Sequence, residues 1–230
     1  MLNESQDRFL IYNESYIFMK RKAGRPRTFD KQEALKSAMY VFWQKGYDGA
    51  SMKDLTDAMG INSPSLYAVF ENKHQLYLEA IKYYVSSDEC TPLLVFETEP
   101  DIERAVYAFF NAVIEYSTSD KNGATGCFLG SCVATSVDCV DGSQALLQEV
   151  IGDADVRFVR RFELEKARGT LPRDFPSLER AQLMFDIRQG IVFRARAKVD
   201  LATIEASISS RVKMVLSEPH VKSKVIDSVN

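Results

Sequence analysis

Two groups of residues in this chain are suited to phosphate chemistry. The first is the basic run Arg21-Lys22-Ala23-Gly24-Arg25-Pro26-Arg27. Pro26 forces Arg25 out of the helical region, so the run is extended. An extended arm carrying Arg25 and Arg27 fits a narrow groove walled by phosphates. The second group is Ser63-Pro64-Ser65-Leu66-Tyr67-Ala68-Val69-Phe70, followed by Lys73 and His74. Ser63, Pro64 and Ser65 at the start of a helix permit close approach to base edges. The Tyr67 hydroxyl can donate to a phosphate. Lys73 opens the next helix, where its charge and the outward N–H groups could hold a phosphate together. With Ser51, Lys53 and His74, these residues make up the candidate DNA-facing set.

Other chemistries are poorly supplied. The histidines are His74 and His220, and no G-x-S-x-G, P-loop or H-E-x-x-H pattern occurs. Acid pairs such as Asp153/Asp155 read as solvated helix faces, so the chain is not expected to be an enzyme or to carry a cofactor. Cys90, Cys127, Cys132 and Cys139 lack the density of a disulfide-stapled domain. There is no C-x-x-C spacing for zinc, and no metal site is expected.

Cys127, Cys132 and Cys139 lie in or just after a segment of Gly, Ala, Ser and Thr. On one straight helix Cys127 and Cys132 would sit about 140° apart, which disfavours a disulfide. Three readings stay open, one of them soft Cu(I) ligation by the thiolates. In the others, the three cysteines are small packing residues, or they are thiol-sensor candidates activated by Arg157, Arg160 or Arg161 on the following helix.

These residues must be positioned by helices. Helical periodicity runs from Asp30 onward without hairpin-bounded alternation, so the chain reads as all-α. Asp30 caps a helix with Leu35, Ala38, Met39 and Phe42 inward, ending at Gly46. Ser51 and Asp54 form a near capping box for a second helix, with Met52, Leu55, Ala58 and Met59 inward and Gly60 as its stop. Ser63 as N-cap and Pro64 at the first position start a short third helix anchored by Leu66, Val69 and Phe70. A fourth opens at Asn72 and runs to about Ser87. Two short helices joined through a glycine turn, with a helix before and after, make a helix-turn-helix.

The charge distribution agrees. Residues 20–87 carry 11 Lys/Arg against 7 Asp/Glu, while the whole chain has a net charge of −3. A basic block on an acidic remainder points to one part that meets phosphate and another with a different task. The expected division is a flexible leader with basic arm at 1–28, a DNA-binding domain at 29–87, and a helical regulatory and dimerisation domain at 88–230. Translation could begin at Met1 or Met19. No apolar run approaches the roughly 18 residues of a membrane span, and the charged leader breaks any signal-peptide core, so a cytoplasmic location is expected.

The second part reads as helices at Asp101–Ser119, Ser143–Ala167, Leu178–Ala197 and Leu201–Leu216. Its aromatics suit a small organic ligand, and the effector-pocket candidates are Tyr84, Tyr107, Phe110, Tyr116, Cys127 and Phe158. Leu201, Ile204, Ile208, Val212 and Val215 repeat at helical spacing. With Leu183, Ile187, Gly190 and Ile191 they are the expected isologous dimer interface.

Residues Phe29–Ser87 resemble the DNA-binding domain of TetR-family transcriptional regulators. The matching stretches are Ala34-Leu35…Phe42…Gly46-Tyr47, Ser51-Met52-Lys53-Asp54-Leu55…Met59-Gly60-Ile61, and Ser65-Leu66-Tyr67-Ala68-Val69-Phe70-Glu71-Asn72-Lys73. Gly126-Cys127-Phe128 and Gln189-Gly190-Ile191 are similar to stretches in one branch of that family. The resemblance implies a homodimer on a pseudo-palindromic operator, usually a repressor, with a C-terminal helical domain that binds an inducer. It places Ser51, Tyr67 and Lys73 on phosphates and Ser63, Pro64 and Ser65 on the base-facing edge. His74 departs from the pattern, since the family often has an acid there. The alternatives are a DNA-binding architectural protein without an effector and a small helical enzyme.

Overall fold

The computed structural model describes residues 30–86, 91–119 and 123–217, and among them no strand occurs. The arm residues Arg25 and Arg27, the choice of start codon, Cys90 and His220 lie outside the described residues.

Helix α1 (Lys31–Gly49) starts where Asp30 accepts from the N–H groups of Gln32 and Glu33. Its buried face holds the four expected residues together with Ala34 and Trp43. Gly46 takes φ 74°, ψ 172°, which breaks the regular helix at the expected residue and leaves a separate turn after it. Helix α2 (Met52–Met59) has the full capping box, with Ser51 Oγ accepting from Asp54 N–H and Asp54 accepting from Ser51 N–H. Its buried residues are Leu55 and Thr56. Ala58 is exposed, not inward. Thr56 is tolerated inside because its hydroxyl donates to the carbonyls of Met52 and Lys53.

Helix α3 (Ser63–Phe70) corrects the expected cap. Asn62, not Ser63, is the N-cap, with its Oδ1 accepting from Ser65 N–H at 2.9 Å. Val69 is 36% exposed, so Leu66 and Phe70 alone anchor the helix. Helix α4 (Lys73–Ser86) buries Leu76, Tyr77, Ala80, Ile81 and Tyr84 against α1.

Helix α5 (Thr91–Thr98) was not expected from the periodicity. Its C-terminal carbonyls are collected by one buried side chain on a later helix. Arg161 donates from Nη1 to Phe96 O and Glu97 O and from Nη2 to Glu99 O and Pro100 O. This meets the acceptor deficit at a helix end. Helix α6 (Ile102–Thr118), capped by Asp101, runs through the centre of the second unit. A π-helical turn (Leu129–Val133) follows, then α7 (Ser143–Arg168) and α8 (Ser177–Arg196).

The expected final helix is two, α9 (Leu201–Glu205) and α10 (Ile208–Leu216). Ser207 donates its hydroxyl to Ile204 O at the break, a local competition with the helix ladder typical of serine. Ile204, Ile208, Val212 and Val215 are buried in the subunit's own core, where α9 and α10 pack on α6 and α8. They therefore do not offer a seam to a second subunit.

Candidate nucleic-acid interface and effector cavity

Helix α3 is held from behind and bare in front. Leu66 and Phe70 are fully buried, while Ser63, Pro64, Ser65, Tyr67 and Ala68 are exposed. Tyr67 is 51% exposed. Asn62 Oδ1 accepts from the Ser65 N–H, and the Ser65 side chain is exposed. Helix α2 is fixed to α1 by Lys45, whose Nζ lies 2.6 Å from Asp54 Oδ1. Hydrogen bonds from Lys45 and Ser51 hold the Asp54 carboxyl well below the usual carboxylate range.

Several expected DNA-facing residues are already engaged. Ser51 donates its hydroxyl to Asp54 at 2.7 Å. Lys53 pairs with Asp57 across one turn on an exposed face. The Lys73 ammonium sits 4.6 Å from the centre of the Tyr47 ring, a cation–π contact. His74 points the other way, with Nε2 2.8 Å from the carbonyl oxygen of Asp141 in the second unit. It therefore belongs to the junction between the units, not with the α3 face.

A cavity of about 200 Å³ lies among α4, α5, α6, the π-helical turn, α7 and α8. Of the expected pocket residues, Tyr84, Tyr116 and Phe158 line it. Tyr107 is 44% exposed and Phe110 is buried in the core, and neither is on the wall. Cys127 is sealed behind the wall. Its Sγ lies 3.3 Å from Tyr84 Oη and 3.4 Å from Arg188 Nη2. Tyr116 donates to Tyr84 at 2.9 Å, which extends the chain of contacts.

The expectation that Arg157, Arg160 or Arg161 would charge this thiol is corrected. Arg157 forks onto Glu97, Arg161 binds Glu165 and the α5 carbonyls, and Arg160 is exposed. The charge comes from Arg188. Burial works to raise the Cys127 thiol, but Arg188 and the bonds from Tyr84 and Gly130 outweigh it and hold the thiol below its ordinary value. Burial pushes the Cys132 thiol up, and Cys139 is exposed.

Arg188 and Gln189 on the wall are not among the pocket residues expected from the sequence. A signal existed. Arg188 falls on the same stripe as the buried Met184, Ile191 and Ala195, and a charged residue on a core-facing stripe is rare without a task. Asn62 gave a weaker signal, since the Ser-Pro start after it looked complete.

A capped helix pair presents one exposed recognition helix ahead of a larger helical body with an internal cavity. This is the build of a helix-turn-helix DNA-binding transcriptional regulator. Residues 34–80 match the family model for bacterial regulatory proteins of the tetR family. The chain is 32% identical over 191 residues to the HTH-type transcriptional repressor ComR of Escherichia coli (strain K12), covering 80% of this chain and 87% of that protein. It is 37% identical over 111 residues to the HTH-type transcriptional repressor BdcR of the same strain, covering 47% of this chain and 55% of that one. The fold is similar to that of a cysteine variant of the TetR-family regulator CifR in complex with 26-base-pair operator DNA. There the identity is 30% and the TM-score 0.72, with 82% of this chain and 98% of that chain covered. The chain belongs to the TetR family of transcriptional regulators. No helix among the described residues is long and apolar enough to cross a membrane.

Proposed function

We propose that this regulator is a repressor that binds a palindromic operator as a homodimer and leaves it when a small molecule fills the cavity. The observation that carries the reading is the α3 face, where Ser63, Pro64, Ser65, Tyr67, Ala68 and Val69 are exposed over two fully buried anchors, Leu66 and Phe70. Tyr67 serves as a phosphate contact, and Ser63, Pro64 and Ser65 as the base-facing edge. Ser51, Lys53 and Lys73 join the phosphate set by leaving their present partners. The repressor sense is supported by the relatives named as repressors.

The dimer uses the outward faces of α7 and α8. Val156, Leu164, Leu178 and Phe193 are exposed there, Phe193 at 75%. Gly152 and Gly190, where an added Cβ would meet nothing, allow close helix approach. Leu183 and Ile187, half-buried on α8, flank this face. An isologous pairing of these helices places two copies of α3 about one DNA turn apart.

The test is selection of binding sites from random duplex DNA by the full chain, followed by titration of the winning duplex. A two-fold symmetric consensus bound by two chains is expected. Binding without sequence enrichment would instead support an architectural role.

A second reading of the signal, a thiol-reactive compound, is favoured by one observation. The Sγ of Cys127 is bonded by two residues that line the cavity. Replacing Cys127, Cys132 and Cys139 singly with Ser separates the two. Loss of the response only in the Cys127 variant supports the thiol route, and an unchanged response in all three leaves the sulfurs as packing.

A further inference from the structure

We infer that two copies of this chain join in one register, with α8 crossing its mate antiparallel at Gly190, so that Asp186 of each subunit pairs with Arg194 of the other. The inference rests on the homodimer reading above and adds the register and the charges that enforce it.

Gly190 marks the crossing point. It has no positive φ, and a Cβ added there would meet nothing within the subunit. A glycine inside a helix destabilises it relative to alanine, so the subunit's own fold gives no reason for this one. Close approach by a second helix does.

The stripe around Gly190 has a symmetric order. At 100° per residue, Leu183, Asp186, Ile187, Phe193 and Arg194 lie within about 60° of it. Asp186, Phe193 and Arg194 are exposed, and Leu183 and Ile187 are half-buried, so the subunit leaves this stripe uncovered. Asp186 precedes Gly190 by four residues and Arg194 follows it by four, about 6 Å to either side. An antiparallel two-fold centred on Gly190 brings each residue level with the one equally far on the other side. Asp186 then stands opposite the partner's Arg194, and the pairing is made twice. Ile187 and Phe193 share a level in the same way and supply the apolar neighbours of each pair. A two-fold centred on Asp186 would set acid against acid, and one centred on Arg194 base against base. A parallel pairing would set each charge against its own copy.

Each of these charges also has a like-charged neighbour in its own subunit. The Asp155 carboxyl on α7 is pushed up by burial and by the Asp186 charge, and its Oδ1 is buried with no hydrogen-bond partner among the described residues. The Arg211 guanidinium on α10 is held below its ordinary value by burial and by the Arg194 charge, and its Nη1 is likewise buried and unbonded there. Within one subunit both couples repel. Across the seam an acidic couple meets a basic couple, and both repulsions are offset together. Such charges choose the partner and the orientation more than they add affinity. A helix with the same apolar stripe but another charge order is refused.

The test is sedimentation equilibrium of the full chain, with circular dichroism to follow folding. The samples are the parent, Asp186→Arg, Arg194→Asp, the double reversal, and an equimolar mixture of the two single variants. Each single reversal removes a like-charge neighbour inside its own subunit, so each is expected to fold. Each also sets like charges together twice across the seam, and the dimer dissociation constant should rise on the order of a hundredfold. The mixture restores both pairs in a heterodimer, and the double reversal restores them with the signs exchanged, so dimers should return in both. Single reversals that dimerise as tightly as the parent, weakened variants that do not recover on mixing, or a single reversal that unfolds would overturn the register. In each of these cases a dimeric parent keeps the homodimer reading. A parent that binds its selected operator as one chain and stays monomeric in solution removes that reading, and the register with it.

Discussion

The hydroxyl of Tyr77 on α4 lies 2.8 Å from the hydroxyl of Ser136, 59 residues further along the chain. Tyr77 is fully buried, and its hydroxyl also meets Cys132 Sγ at 3.4 Å. With Cys132 on the Phe42 carbonyl and His74 on the Asp141 carbonyl, the π-helical turn and the loop after it are stitched to α1 and α4. The DNA-binding unit and the body that holds the cavity thus share buried polar contacts as well as core. Tyr77→Phe keeps the ring packing and removes the bond. Ser136 retains the Val133 carbonyl as acceptor, so the expected loss is about 1 kcal/mol in urea unfolding. The variant should also release DNA less completely at saturating effector, and an unchanged release curve would remove this contact from the coupling route.

The cap of α3 yields a paired prediction. Asn62→Ala deletes the acceptor for Ser65 N–H and should cost about 1 kcal/mol of stability. Ser63→Ala, at the first helical residue, should cost little. Equal losses, measured by thermal unfolding, would return the cap to Ser63.

At the DNA face, Tyr67→Phe is expected to weaken all duplexes alike by about 1 kcal/mol. Lys73→Ala should lower the slope of log affinity against log salt by about one. A slope that does not move would keep Lys73 on the Tyr47 ring and outside the interface. Ser65 substitutions should change the preferred bases in a repeated selection.

For assembly, Phe193→Glu places a charge on an exposed outer face, and the expected product is a folded monomer with poor operator affinity. Ile208→Glu buries a charge in the subunit core and should unfold the chain. Sedimentation with circular dichroism distinguishes the two. A dimeric, folded Phe193→Glu would place the interface elsewhere.

The Arg161–Glu165 pair predicts a pH effect. Both side chains are nearly fully buried, 3.1 Å apart. Burial tends to raise the Glu165 carboxyl, but the Thr170 hydrogen bond and the charges of Arg161 and Arg168 outweigh it and leave the group below its ordinary value. A carboxyl lowered by folding contributes stability above its unfolded pKa of about 4.3, and that contribution is lost as pH falls through the folded value. The stability advantage of the parent chain over Glu165→Gln should therefore be full near pH 7 and shrink in acid, as denaturant titrations at several pH values would show. Arg161→Met leaves a buried carboxylate and the α5 carbonyls short of donors, and the expected cost is about 3–5 kcal/mol.

The sequence by itself determined the helical class, the helix-turn-helix and the family. Those rest on short-range signals: Asp30 and the Ser51/Asp54 box as caps, Gly46 and Gly60 as stops, and apolar residues three and four apart. Such signals act within a turn or two of chain, so they are written locally. The base-facing edge of α3 was legible for the same reason, because its two buried anchors define its outer face.

Only the tertiary structure decided where long-range partners meet. Apolar spacing marks a buried stripe but not what buries it, so Ile208 and Val212 read equally well as dimer seam or subunit core, and packing on α6 settled their place. The same holds for charge. Arg157, Arg161 and Arg188 all lie on amphipathic helices, and nothing local tells which acid or carbonyl each will reach. Glu97 and the end of α5 took the first two, and the fold carried Arg188 to Cys127, 61 residues away in the chain. The cavity is likewise a product of five helices and the π-helical turn meeting around a space that no single segment records.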